Sequence, residues 1–150
     1  MIKKVHGIEY AARFADIYNS ANELYPENER YLVDETTFYS QLELNENYIY
    51  EENGEFIGFI SYQKYEKFYQ LTSLYIRITK QKQGVGKVLL HFIEHEIPVG
   101  SFIITKALNS SIWAIQFYKK NGYVETTKTQ RNQINVEQKS WETILCKHTI

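Results

Sequence analysis

Residues 74–93 read LYIRITKQKQGVGKVLLHFI, and the change of period inside this stretch decides the fold. Leu74 to Ile78 alternate branched and aromatic side chains as a strand does. Val85, Val88, Leu89, Phe92 and Ile93 recur instead at i, i+3, i+4, i+7 and i+8, the apolar stripe of a helix. Between them lies Gln81-Lys82-Gln83-Gly84-Val85-Gly86-Lys87. Glycine at 84 and 86 removes side chains where the backbone must turn sharply and come close to a ligand. The helix that starts there directs its positive dipole end the same way. Such a turn suits a pyrophosphate.

Spacing separates the patterns that use such turns. Gln81 stands where a P-loop needs its first glycine, and Val88 where it needs a magnesium-binding Ser or Thr. Leu89 stands where the dinucleotide fingerprint needs its third glycine. Gln/Arg-x-x-Gly-x-Gly/Ala after a strand is met in full by Gln81 to Gly86. A second pattern follows in Ser111-Ile-Trp113-Ala114-Ile-Gln-Phe117-Tyr118-Lys-Lys-Asn121-Gly122-Tyr123. Ala114, Phe117, Tyr118 and Asn121 share one helical face, Ser110 and Ser111 are placed to cap its start, and Asn121-Gly122 supplies a left-handed stop. With a strand-like Ser101 to Thr105 between the two patterns, the chain resembles the GNAT superfamily of N-acetyltransferases, most closely over Phe56 to Val124.

The resemblance implies acetyl-CoA as cosubstrate, its pyrophosphate on Gln81, Lys82, Gln83, Gly84, Val85, Gly86 and Lys87. It implies backbone N–H groups near Tyr75 and Ile76, where the strand bulges and splays, as donors to the oxyanion. Tyr118 would face the sulfur. The family has Asn where this chain has Ser111, and Asn109 lies two residues earlier, so either one could contact the cofactor arm.

Composition sets outer bounds. A chain of 150 residues with 43% hydrophobic content is large enough for one full core, and a single domain over 1–150 is expected. Seventeen Lys and Arg against 18 Asp and Glu give a net charge of −1, which offers no general attraction to nucleic acid or anionic lipid. The N-terminal Lys3 and Lys4 precede no apolar run, and no stretch approaches the length of a membrane span. The single cysteine forms no internal disulfide and agrees with a reducing compartment. A cytoplasmic protein is expected.

In chain order, Ile2 to Val5 predicts a strand and Ile8 to Asn19 a helix with Tyr10, Phe14, Ile17 and Tyr18 on one face. Asn22 to Arg30 is a polar loop around Pro26, before a second helix capped by Asp34. Tyr48 to Glu51 and Glu55 to Gln63 flank Asn53-Gly54, a hairpin turn that needs two positive φ angles. Leu71 to Ile78 continues the meander, a helix to Ile97 crosses over, and Phe102 to Thr105 forms a parallel neighbour. Tyr123 to Thr129 and Trp141 to Lys147 predict a closing hairpin with Arg131 to Lys139 as its loop. The expected fold is α/β, a mixed and mostly antiparallel sheet with a splayed parallel pair and helices on both faces.

Amine acetylation requires a donor for the oxyanion, a proton for the departing thiolate and a route for the amine proton. Tyr118, with an ordinary pKa near 10, is the expected catalytic acid. For the base, Glu23, Glu27 and Glu29 in the acceptor-side loop and a relayed water all stand open.

His91-Phe-Ile-Glu94-His95 matches a zinc-peptidase pattern. Both histidines flank the apolar stripe and Glu94 lies opposite it, so an ordinary solvated face is expected and no metal. Cys146 reads as a small buried hydrophobe beside Ile144. Arg77, Lys80, Lys82 and Lys87 cluster by the glycine turn and are assigned to CoA phosphates rather than to nucleic acid. The expected reaction moves acetyl from acetyl-CoA to an amine on a small molecule or peptide, with a homodimer left open. The alternative is a CoA or acyl-CoA-binding module without catalysis.

Overall fold

The computed structural model describes Met1–Ile150. Its elements in order are β1 (Ile2–Val5), α1 (Ala11–Ala21), α2 (Tyr39–Leu44), β2 (Glu46–Glu52), β3 (Glu55–Lys64), β4 (Tyr69–Ile76) and α3 (Val85–Glu96). After these come β5 (Phe102–Leu108), α4 (Ile112–Lys120), β6 (Val124–Glu125), α5 (Lys128–Gln133) and β7 (Glu142–His148). Seven strands form a mixed sheet in the order β1-β2-β3-β4-β5-β7-β6, with β4 and β5 as its parallel pair. Two compact units are distinguished. One comprises Met1–Gln63 and Ser73–Ile93, the other Lys64–Thr72 and Glu94–Ile150.

In the first unit, β1, β2 and β3 form an antiparallel meander. Asn53 and Gly54 turn β2 into β3 with φ of 52° and 79°, the two left-handed residues that match the turn to the twist of the strands. On one face Phe14 of α1 stacks on Phe59 of β3 at 4.0 Å, and Phe38 meets both rings edge-on. Ile17, Leu42, Ile49 and Val5 complete this core. Tyr10 and Tyr18 pack at its margin, so the expected face of α1 is the buried one. On the opposite face, Tyr48 meets Phe92 of α3 at 5.3 Å. Successive residues of a strand point to opposite faces, so helices cover both sides. Asp34 caps as expected, accepting the Thr36 N–H at 3.0 Å, but what it opens is a 3-10 turn, Glu35–Phe38, that leads into α2.

The end of β4 and the buried face of α3 differ from the sequence expectation. β4 ends at Ile76 rather than Ile78, because other partners take over from the ladder. The Arg77 N–H donates to Ile57 O at 2.9 Å, the Ile78 N–H to Ser20 Oγ at 3.1 Å, and Ile78–Lys80 closes into a 3-10 turn. The buried stripe of α3 is Val85, Leu89, Leu90 and Ile93, while Val88 is 49% exposed. Val88 and Leu90 flank Leu89 on the helix surface, so either fits the 3.6-residue period, and packing selects Leu90.

In the second unit, Tyr69–Leu71 of β4 pair in parallel with Ile103–Thr105 of β5. β5 pairs along its length with β7. Ile104, Ile144 and Cys146 form a core with Phe68, Phe102, Ile134 and Val136. On the other face lie Tyr118 of α4 and Tyr123, their rings 5.3 Å apart. The predicted Tyr123 to Thr129 strand shrinks to Val124–Glu125, and part of the predicted loop is helical, as α5. The cause is a capping box. Thr127 Oγ1 accepts the Gln130 N–H at 3.1 Å and Gln130 Oε1 accepts the Thr127 N–H at 2.9 Å. No helix is long and apolar enough to cross a membrane.

Candidate active site

The predicted site residues fall into two sets, one in each unit. Tyr75, Ile76 and the run Gln81–Lys87 belong to the first, and Asn109, Ser111 and Tyr118 to the second.

The turn after β4 is tied down before it reaches the glycines. Arg77 donates through Nε to Phe56 O at 2.6 Å and through Nη2 to the Asp16 carboxylate of α1 at 2.7 Å. Its guanidinium is thus engaged by protein groups, contrary to the phosphate-binding expectation, and it fixes where the turn starts. Gln81 Nε2 donates to Ile76 O at 2.9 Å, so this side chain braces the turn across its base. Gln83 Nε2 donates to Thr79 O at 3.3 Å. Lys82 and Gly84 both adopt left-handed φ, 64° and 85°. Gly86 does not, being the second residue of α3, so only the first glycine serves the sharp turn.

The helix then begins at Val85, which is buried and anchors its end. The first intrahelical bond runs from the Val88 N–H to Gly84 O at 3.0 Å. The N–H groups of Val85, Gly86 and Lys87 precede it and have no carbonyl within the helix to receive them. They carry the positive end of the helix dipole, and the side chains of Lys82 and Lys87 are exposed beside them. A β-carbon built on Gly84 would meet nothing within 4 Å, so the turn is unobstructed on the side of that glycine. Backbone donors, two ammonium groups and an unobstructed glycine fit a pyrophosphate.

The end of β4 depends on a residue that sequence reasoning missed. Gly58 lies where a β-carbon would come 2.9 Å from Tyr75 O and 2.5 Å from Ile76 Cδ1. β3 and β4 therefore approach more closely here than any side chain allows. The register irregularity next to it lies between Tyr50 and Glu51 of β2, opposite β3. A lone strand glycine gives this signal only weakly.

Glu23 and Glu27 line a cleft of about 490 Å³ with Asp16, Arg30 and Arg77. Glu29 is on an exposed 3-10 turn. Arg30 holds the loop by donating to Tyr25 O and Glu23 O.

In the second unit, Tyr118 is 8% exposed. Burial pushes its phenol up to about 12, a rise partly offset by a hydrogen bond with Thr105 of β5. Its helix stops as the sequence predicts. Gly122 has φ 93°, the Tyr123 N–H donates to Tyr118 O at 3.0 Å and the Gly122 N–H to Lys119 O at 3.2 Å, a Schellman ending. The start differs, since Ser111 stands at the N-cap position without a side-chain capping bond. Asn109 is held on both sides of its amide, donating to Ser140 O at 2.9 Å and accepting from Thr143 Oγ1 at 2.7 Å.

Glu94 is not solvated as the sequence suggested. Its side chain is 11% exposed, accepts from Tyr123 Oη at 2.8 Å and pairs with Lys147 Nζ at 3.2 Å. Lys147 also donates to Asn121 O at 2.9 Å, holding the last turn of α4. Glu94 is therefore engaged within the protein. Cys146 is buried, donates weakly to Gln130 Oε1 at 3.8 Å, and has its thiol pushed up by burial, as suits an inert packing residue.

A glycine turn of this geometry between β4 and α3 coincides with a family match. Residues 21–136 match the model of the acetyltransferase (GNAT) domain.

The chain belongs to the GNAT acetyltransferase family.

Solved GNAT structures share its fold. A GNAT-family acetyltransferase from Staphylococcus aureus Mu50 superposes with a TM-score of 0.76 at 16% identity, over 100% of both chains. The ribosomal-protein-S18-alanine N-acetyltransferase of Escherichia coli gives 0.74 at 21% identity, covering 99% of this chain and 93% of the other. The PaiA N-acetyltransferase of Thermoplasma acidophilum, solved with coenzyme A, gives 0.72 at 15% identity, covering 99% and 98%. No curated protein sequence matches this GNAT chain significantly.

Proposed function

We infer that this GNAT protein transfers acetyl from acetyl-CoA to an amine acceptor by direct attack. The observation that carries the reading is the N-terminus of α3, where the backbone N–H groups of Val85, Gly86 and Lys87 have no carbonyl partner within the helix and lie between the exposed side chains of Lys82 and Lys87, after a Gly84 whose missing β-carbon would meet nothing within 4 Å. That arrangement recognises the pyrophosphate of a coenzyme A thioester. The acceptor nitrogen bonds to the thioester carbonyl carbon, the C–S bond breaks, and the nitrogen gives up one proton. Backbone donors near Tyr75 and Ile76 stabilise the oxyanion in between.

Tyr118 acts at the sulfur. A phenol raised to about 12 lies roughly 3 units above an ordinary thiol, so full proton transfer to a free thiolate is uphill by about 4 kcal/mol. Its role is accordingly to donate a hydrogen bond to the departing sulfur, with the thiolate protonated from solvent as it leaves. The same observation is what favours the second reading, a CoA-binding module without turnover, because a phenol this weak is a poor acid unless the sulfur comes within hydrogen-bond reach. Calorimetric titration with acetyl-CoA tests binding, and release of free thiol across a panel of primary amines and N-terminal peptides tests transfer. Binding with no thiol release above the rate without amine leaves the module; no binding removes both readings.

A further inference from the structure

In the first unit four polar side chains form one hydrogen-bonded line from Asn47 of β2 through Ser61 of β3 and Gln41 of α2 to Ser73 of β4, and chemistry dictates where each proton lies. Asn47, 1% exposed, donates through Nδ2 to the carbonyls of Asn45 at 2.8 Å and Gln41 at 3.3 Å. Carbonyl oxygens only accept, so the nitrogen must face them and Oδ1 must face away. There Oδ1 accepts from the Ser61 hydroxyl at 2.6 Å. Ser61 is fully buried and has given its one proton, so its oxygen can only accept from Gln41, which must present Nε2, at 2.9 Å. Gln41 Oε1 is thereby turned to Ser73, whose hydroxyl donates to it at 2.7 Å. Turning any amide over would set donor against donor or acceptor against acceptor.

An exposed serine can rotate to donate or accept. Ser73, its proton committed to Gln41, has only lone pairs left to offer, and it is the end of the line, partly open to solvent while Asn47 and Ser61 are buried. It stands on β4 two residues before Tyr75, on the same face and about 7 Å along the strand. This places an obligate acceptor next to the backbone donors assigned to the oxyanion.

We propose that Ser73 orients the acceptor, taking a hydrogen bond from an N–H of the attacking amine so that the nitrogen lone pair is aimed at the thioester carbonyl. The inference rests on the acetyl-transfer reading above. Ser73 binds the amine without charge and takes up no proton, so the proton lost by nitrogen passes to water or to another group. It selects acceptors whose nucleophilic atom carries a hydrogen to donate.

The test uses the amine that gives the highest wild-type rate in the panel, with acetyl-CoA affinity and thermal stability measured alongside. Ser73→Ala is expected to lower kcat/KM for the amine about 10-fold, the loss of one hydrogen bond, with KM rising and acetyl-CoA affinity unchanged. Ser73→Cys, close in shape but a weak acceptor, should show the same loss, and Ser73→Thr should return to within about 3-fold of wild type. Gln41→Met keeps the Ser73 hydroxyl but releases its proton, and should fall between. Wild-type kcat/KM in Ser73→Cys, or parallel loss of acetyl-CoA affinity in every variant, would overturn the assignment. A wild-type protein that binds acetyl-CoA yet acetylates no amine would instead remove the reading on which it rests.

Discussion

Gly58 and Tyr75 are packed backbone to backbone, with room for a β-carbon only 2.9 Å from the Tyr75 carbonyl oxygen. The Ile76 methyl that such a carbon would also meet can swing aside, but the carbonyl is part of β4 and cannot move without the strand. Gly58→Ala should therefore shift the end of β4 and destabilise by about 1–3 kcal/mol, seen as a melting temperature lower by several degrees. Because the displaced peptide carries the proposed oxyanion donors, kcat should fall further than the stability loss explains. An unchanged melting temperature would show that β3 and β4 have slack here.

Gly84 has φ 85° with no protein atom close to its missing side chain, so only the backbone conformation and an incoming ligand require glycine. Gly84→Val should strain the turn by about 1–3 kcal/mol and block the approach to the α3 amides. Calorimetry should show acetyl-CoA affinity weakened at least 10-fold in a folded variant. Retained affinity would count against the pyrophosphate site.

For Tyr118, Phe preserves the ring and its contacts with Phe117 and Tyr123 while deleting the hydroxyl. If the phenol donates to the leaving sulfur, the interaction belongs to the transition state, so kcat should drop about 10-fold or more while the Kd for acetyl-CoA holds. Single-turnover measurement guards against product release hiding a chemical defect. Wild-type single-turnover rates would take Tyr118 out of the mechanism.

The pH dependence of stability carries a separate signature. The unfolded phenol ionises near 10 and the folded Tyr118 near 12, so between these values the unfolded chain loses a proton the folded chain retains. Stability contributed by this group is present below pH 10 and declines as pH rises toward 12, by roughly 2–3 kcal/mol. Tyr123, raised by burial and by Glu94, acts in the same direction. Denaturant unfolding at alkaline pH should show a shallower decline in Tyr118→Phe than in wild type, and equal slopes would refute the shift.

Much of this architecture is local, and local features are legible in a linear chain. Asn53-Gly54, Asp34 and Gly122 each specify a backbone conformation through their own stereochemistry or side chain, and the period of α1 follows from residues a few positions apart. The capping box at Thr127 and Gln130 was equally local; the β-branched residues around it suggested a strand, and the reciprocal cap prevailed. What the tertiary structure alone decided are relations between residues far apart in the chain. The buried face of α3 turned from Val88 to Leu90 because a helical period leaves a choice that only a packed surface makes. Glu94 and Arg77 looked like exposed charges until Lys147, Tyr123, Asp16 and Phe56 were brought to them. Gly58 mattered only once β4 lay against it. The proton order from Asn47 to Ser73 likewise depends on carbonyls and hydroxyls on separate elements, and no spacing in the sequence encodes a direction for a hydrogen bond.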